Sequence, residues 1–149
     1  MKTTTIKFRY NGEAVGKGRP RVKILRKGDK VFPHLYTPEK TKAFEDALRF
    51  EFMAQNCEQM PVFEKDIPLQ MRLTIGMSIP KSYSKKKYAL CRDRVLYPTG
   101  KPDIDNVIKS VADALGKGAA FEDDSQLVRI YAERYYSEQP FVEVEIRGL

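Results

Sequence analysis

A chain of 149 residues, 42% hydrophobic and 32% charged, is long enough for one domain with its own core and is not a disordered tail. Its 27 Lys and Arg against 20 Asp and Glu leave a formal net charge of +7, which points to a polyanionic partner without specifying a fold. A single histidine and two distant cysteines, Cys57 and Cys91, argue against a Cys/His zinc site, and no apolar run is long enough to span a membrane. Met1 is followed by Lys-Thr-Thr-Thr rather than by the apolar stretch of a signal peptide, so the expected compartment is the cytoplasm, with both thiols reduced.

In chain order, Ile6-Lys7-Phe8-Arg9-Tyr10 alternates apolar and basic residues, as on a half-buried strand. Val22-Lys23-Ile24 and Val31-Phe32 flank Lys27-Gly28-Asp29-Lys30, which predicts a hairpin. Thr37-Pro38-Glu39 reads as an N-cap, a proline at the first helical position and an acid in the first turn, opening a helix from Pro38 to Gln55. Phe44, Leu48 and Phe52, with Ala47 beside them, form its apolar stripe. Leu69, Met71, Leu73, Ile75, Met77 and Ile79 alternate with polar residues in a strand that Pro80 ends. Residues 81–101 read as a long basic loop.

A second helix is expected to start at Asp105 or Asn106 and end near Gly116-Lys117-Gly118, with Val107, Ile108, Val111, Ala112 and Leu115 on its apolar face. Gln126 to Tyr136 and the stretch holding Val142, Val144 and Ile146 read as two strands. The short Ser137-Glu138-Gln139-Pro140 link suggests that they pair as an antiparallel hairpin. The expected architecture is a single α+β domain over residues 1–149, two-layered, with a mixed β-sheet and two main helices on one face.

The chemistry concentrates in Asp103-Ile104-Asp105-Asn106 and Phe121-Glu122-Asp123-Asp124. Phosphate repels carboxylates, so acids clustered on a basic chain suggest a divalent cation between carboxylate and phosphate, as in many nucleases. If Asp103 to Asp105 is extended, both carboxylates point to one side. Asp105 could equally cap the helix, which would leave Asp103 unexplained. One of Asp123 and Asp124 meets them if the following strand pairs near the helix start; otherwise Asp-Asp-Ser is a polar turn. Lys109 stands between Asp105 and Asp113 at four-residue spacing. It either joins a solvated ion-pair row, worth about 0.3–0.5 kcal/mol per pair, or neutralises charge on a phosphate.

Rival motifs fail. Counting from Asp103, an EF-hand needs a ligand at the fifth position and Gly at the sixth, where Val107 and Ile108 stand. The only imidazole, His34, sits beside Pro33 and supports no Ser-His-Asp arrangement.

Two segments supply cations. Lys17, Arg19 and Arg21 share one side if extended, between glycines that let phosphate approach. Lys81, Lys85, Lys86, Lys87, Arg92, Arg94 and Lys101 crowd the run before Asp103, with Tyr83, Tyr88 and Tyr97 among them, a mixture suited to unpaired bases.

Taken together, Lys101-Pro102-Asp103-Ile104-Asp105-Asn106, Lys109, Asp113-Ala114-Leu115 and Phe121-Glu122-Asp123-Asp124-Ser125-Gln126 closely resemble the RusA family of Holliday junction resolvases. Gly18-Arg19-Pro20-Arg21 and Tyr36-Thr37-Pro38-Glu39-Lys40-Thr41 resemble the branch found in Gram-positive bacteria and their phages. The resemblance spans residues 16–127. It implies a homodimeric endonuclease of DNA recombination and repair that cuts four-way junctions with Mg²⁺, or Mn²⁺, held by three aspartates. Asp103 and Asp105 match the first two, and Asp124, second of the Asp-Asp pair, matches the third. Lys109 matches a basic residue on which strand scission depends, and Asn106 a polar residue beside the metal. The chain is longer at its N-terminus than the shortest members, so segments 16–30 and 81–101 are expected to meet DNA differently. A nuclease acting on flaps or forks and a non-catalytic DNA-binding recombination accessory are the alternative readings.

Overall fold

The computed structural model describes residues 3–56 and 59–149. Cys57, expected as a reduced thiol, lies outside them; Cys91 is a free, buried thiol. Four strands form a mixed sheet in the order β1-β6-β4-β5: β1 (Thr5–Tyr10), β4 (Leu69–Ser78), β5 (Leu127–Ser137) and β6 (Phe141–Gly148). β2 (Arg21–Lys27) and β3 (Lys30–Tyr36) form the expected hairpin as a separate sheet of two strands. The helices are α1 (Glu39–Gln55), α2 (Lys85–Arg92) and α3 (Ile104–Leu115). No helix among the described residues is long and apolar enough to cross a membrane.

Alternation decides which face of the sheet is covered. Ile6 and Phe8 of β1 pair with Ile146 and Val144 of β6, which pair with Met71 and Leu73 of β4. All six are buried, and Phe44, Leu48 and Phe52 of α1 and Val107, Val111 and Leu115 of α3 join the same core. Each such side chain contributes roughly 1.5–3 kcal/mol when fully buried. The alternate residues form a solvated face, where Lys7 and Arg9 reach Glu143 at 2.9 and 3.5 Å.

Four expectations need correction. First, β5 and β6 are not neighbours: β4 lies between them, parallel to β5 and antiparallel to β6. β4 is buried along most of its length, while β5 carries Arg129 and Glu133, exposed charges that an edge strand keeps wet. A link of three residues, 138–140, reaches across two strand spacings, about 10 Å.

Second, the 81–101 run contains α2. Ser84 caps it, its hydroxyl accepting the Lys87 amide at 3.2 Å. Lys, Ala, Leu and Arg are good helix formers. The three consecutive lysines masked a short helix with one buried residue, Cys91, that lies against β5.

Third, α1 begins at Glu39 with Pro38 in the cap position, and Thr37 provides no side-chain cap. Fourth, α3 begins at Ile104, with Asp103 at its cap position and Asp105 already in its first turn. Asp103 to Asp105 is therefore not extended, and Asp105 is not the cap.

Candidate active site

The Asp103 backbone is extended (φ −68°, ψ 146°), yet its side chain makes no capping hydrogen bond to α3. Asp103 and Asp105 are exposed, and neither forms an ion pair among the described residues. Both carboxylates sit at the N-terminal end of α3, where unpaired amides favour negative charge. Free carboxylates are hard oxygen donors of the kind that Mg²⁺ takes, and these two stand two residues apart, at the cap and in the first turn of α3.

Beside them, Ala14 to Lys17, Lys40 and Lys101 to Asp103, with Asn106, line a cleft of about 380 Å³. The Gly16–Gly18 strap closes one side of it. The Lys17 amide donates to the Asn106 carbonyl at 2.9 Å. The Gly18 amide donates to the Thr41 hydroxyl, and that hydroxyl donates to the Gly16 carbonyl. A Cβ on Gly16 would stand 3.1 Å from the Cβ of Asn106 and 3.2 Å from that of Pro102, so glycine permits the approach. Lys40 enters this cleft from the first turn of α1. Sequence reasoning missed it, because nothing local links it to Asp103.

Lys17 is not a free DNA contact, contrary to the expected row of Lys17, Arg19 and Arg21. Its ammonium lies 2.7 Å from Glu45 of α1 and 2.8 Å from Asp113 of α3, and its side chain is 23% exposed. Burial pulls its pKa down, but the hydrogen bonds from Asp113 and Glu45 outweigh that and hold it above 10.5. Arg19 and Arg21 remain exposed. Arg21 opens β2, on the hairpin face that also carries Lys23, Leu25, Lys27, Lys30, Phe32, His34 and Tyr36; Val22, Ile24, Arg26, Val31, Pro33 and Leu35 occupy the other face. Lys85, Lys86 and Lys87 project from the first turn of α2, with the Lys87 ammonium 3.9 Å above the Tyr83 ring.

The second acidic group lies elsewhere. The turn after α3 is tied by the Lys117 amide to the Glu122 carbonyl (3.0 Å) and the Gly118 amide to the Phe121 carbonyl (2.9 Å). It delivers Asp123 and Asp124 to the C-terminal half of α3, where Ala112, Asp113, Gly116 and Lys117 complete a groove of about 120 Å³. Asp113 is two turns past Asp105, roughly 12 Å along the axis at 1.5 Å per residue. The expectation that β5 starts beside the beginning of α3 is thus corrected; Arg134, late in β5, is the residue that reaches that end. Among the described residues, no three His, Cys, Asp or Glu side chains are gathered closely enough to hold a metal. Asp103 and Asp105 keep free carboxylates at the start of α3, and Asp124 lies with Asp113 at its other end.

Asp123 and Asp124 differ in employment. Asp123 caps a short 3₁₀ turn, its Oδ1 accepting the Ser125 amide at 2.8 Å, while the Gln126 side chain accepts the Asp123 amide at 3.1 Å. The Ser125 amide holds the Asp123 carboxyl below its ordinary value. Asp124 is pushed up, first by its hydrogen bond to Asp123, then by burial and by Asp113. Lys109 stands between the acidic groups, exposed, without an ion pair among the described residues; Asp113 pairs with Lys17 instead. The Asp105-Lys109-Asp113 ion-pair row, one of the two readings of Lys109, does not form.

The family model described as Endodeoxyribonuclease RusA matches residues 11–147. The chain is 38% identical over 144 residues to the uncharacterized protein YqaN of Bacillus subtilis (strain 168), a match covering 95% of each chain. It is 32% identical over 84 residues to the crossover junction endodeoxyribonuclease rusA of Lactococcus phage r1t, covering 56% of this chain and 57% of that one.

Proposed function

The chain belongs to the RusA family of endodeoxyribonucleases, and from that premise we propose that it is a Mg²⁺- or Mn²⁺-dependent homodimeric enzyme that resolves four-way DNA junctions by paired nicks in recombination and repair. The observation that carries this reading is an unengaged carboxylate, Asp103, lining a cleft with Lys40 and Lys101, and a second, Asp105, two residues on in α3, on a chain of net charge +7.

In this reading Asp103 and Asp105 would hold the ion, with Asp124, which lies beside Asp113 at the other end of α3 in this structure, as the third ligand that the family resemblance implies. An ion held there would supply an acidified water and a counter-charge for the phosphate, with no histidine base required. Lys109, one turn along α3 from Asp105, neutralises charge that builds on the phosphate. Lys40 and Lys101 hold the phosphodiester in the cleft, with Asn106 at its floor. Lys85, Lys86 and Lys87, with Arg19 and Arg21, steer the DNA arms. A junction is nearly two-fold symmetric, so a two-fold dimer sets one site on each of two opposed strands.

The test is cleavage of a synthetic four-way junction, a flap and a duplex, each with and without Mg²⁺, using enzyme whose mass in solution has been measured. Symmetric nicks in the junction alone, by a dimer and only with metal, support the reading. Preferential flap cutting shifts the substrate class. Junction binding without cleavage in either metal would leave a DNA-binding accessory.

A further inference from the structure

Arg134 stands on β5 in a row that the rest of the sheet gives to core residues. The row runs Tyr10 on β1, Val142 on β6, Ile75 on β4 and Arg134 on β5. Val142 and Ile75 are buried, and Arg134 is half-buried. A permanent cation at the edge of an apolar row requires a partner. Arg9, Arg49 and Arg92 each have a carboxylate partner. Arg134 has none within 4.0 Å among the described residues.

Its Nη1 instead donates to the Gly100 carbonyl at 2.7 Å and to the Pro102 carbonyl at 2.7 Å. Among the described residues, these are the hydrogen bonds that reach residues 97–102; the backbone there makes none of its own. Both are charge-assisted and so about twice as strong as neutral ones. The segment they hold runs directly into Asp103, whose carboxylate is not tied down by α3. The aim of that carboxylate is therefore set by the backbone that enters the helix, where Pro98 is buried, Gly16 approaches Pro102, and Arg134 supplies the hydrogen bonds.

Resting on the reading that Asp103 holds a divalent ion, we infer that Arg134 is a positioning residue: it clamps residues 97–102 by two carbonyls and so orients the Asp103 carboxylate. It touches neither metal nor DNA. Losing support of this kind lowers metal affinity by about 10–100-fold. Lysine can donate to the carbonyls but lacks the planar fork, so it restores part of the effect.

The experiment compares wild type with Arg134→Met and Arg134→Lys in three readouts. Hydrogen exchange without metal or DNA reads the amides of residues 97–103. Electron paramagnetic resonance of free Mn²⁺ reads metal affinity. Single-turnover junction cleavage over a Mg²⁺ series reads the metal midpoint and the saturated rate. Arg134→Met should speed exchange in 97–103 and raise the Mn²⁺ dissociation constant and the Mg²⁺ midpoint about tenfold or more, with the rate recovering at high Mg²⁺. Arg134→Lys should fall between. Junction affinity in Ca²⁺ and its salt slope should not move.

Unchanged exchange in 97–103 overturns the clamp, and unchanged Mn²⁺ affinity and Mg²⁺ midpoint overturn its effect on Asp103. A reduced salt slope makes Arg134 a DNA contact instead. A lower melting temperature with an unchanged Mg²⁺ midpoint makes it structural only; if the Met variant does not fold, the Lys variant decides. If wild type itself cuts no branched DNA with metal, the proposed function fails, while the exchange comparison still judges the clamp.

Discussion

Lys17 and Asp113 meet at 2.8 Å across the gap between the Gly16–Gly18 strap and α3, and this pairing takes Asp113 away from Lys109. With Glu45 at 2.7 Å, the same ammonium joins α1 to α3 beneath the cleft. Lys17→Met should therefore act on stability rather than on DNA. Hydrogen bonds to charged groups contribute about 1.5–3 kcal/mol each, and leaving two acids unpaired adds to the loss, so a drop of about 2 kcal/mol or more is expected in urea unfolding. The sign with pH follows from the raised pKa of Lys17. The contribution is full below 10.5, the unfolded value, and disappears as pH rises through the higher folded value. The stability gap between wild type and Lys17→Met should thus close above pH 10.5. A lower salt slope of junction binding in this variant would return Lys17 to the DNA surface.

Asp103→Asn and Asp105→Asn should each abolish cleavage while leaving junction binding intact or slightly tighter, because phosphate repulsion falls. Asp124→Asn should do the same. Asp123→Asn should be milder, because Asp123 already caps the turn that ends in Gln126. Junction cleavage in Mg²⁺ measures all four. Full activity of any of the first three removes that residue from the metal site, and a total loss at Asp123 reverses the assignment within the pair.

Lys109→Ala should lower the single-turnover cleavage rate by roughly a hundredfold or more, the scale for removing a group that stabilises developing charge. Binding should change little, since Lys109 is one cation among many that meet phosphate. Lys109→Arg should recover part of the rate. Because Lys109 has no ion pair to lose among the described residues, the Ala variant should melt close to wild type. A near-normal rate on a synthetic junction would remove Lys109 from the chemistry.

Lys85, Lys86 and Lys87 replaced together by Ala should leave α2 intact, since alanine is the better helix former and Ser84 still caps it. The log–log salt slope of junction binding should fall by about 0.9 for each duplex phosphate that these lysines neutralise in wild type. An unchanged slope would identify the α2 lysines as a solvated face only.

Strands with one apolar face, the stripe of Phe44, Leu48 and Phe52, the hairpin at Gly28 and the family motifs around Asp103 and Asp124 were all legible in the amino-acid sequence. These are signals of local period and short spacing, which burial on one side of an element imposes directly. That β4 separates β5 from β6 was not legible there, because the alternation of a strand does not name its neighbour. The tertiary structure also showed that Lys17 is consumed by Glu45 and Asp113, since a charge pattern does not reveal which cations are already paired. Lys40 joined the cleft from a helix far away in sequence, and Arg134 appeared in the sequence only as a break in alternation on β5. Its meaning required knowing that the late part of that strand passes the backbone entering α3, a relation fixed by the packing of sheet against helix rather than by any nearby residue.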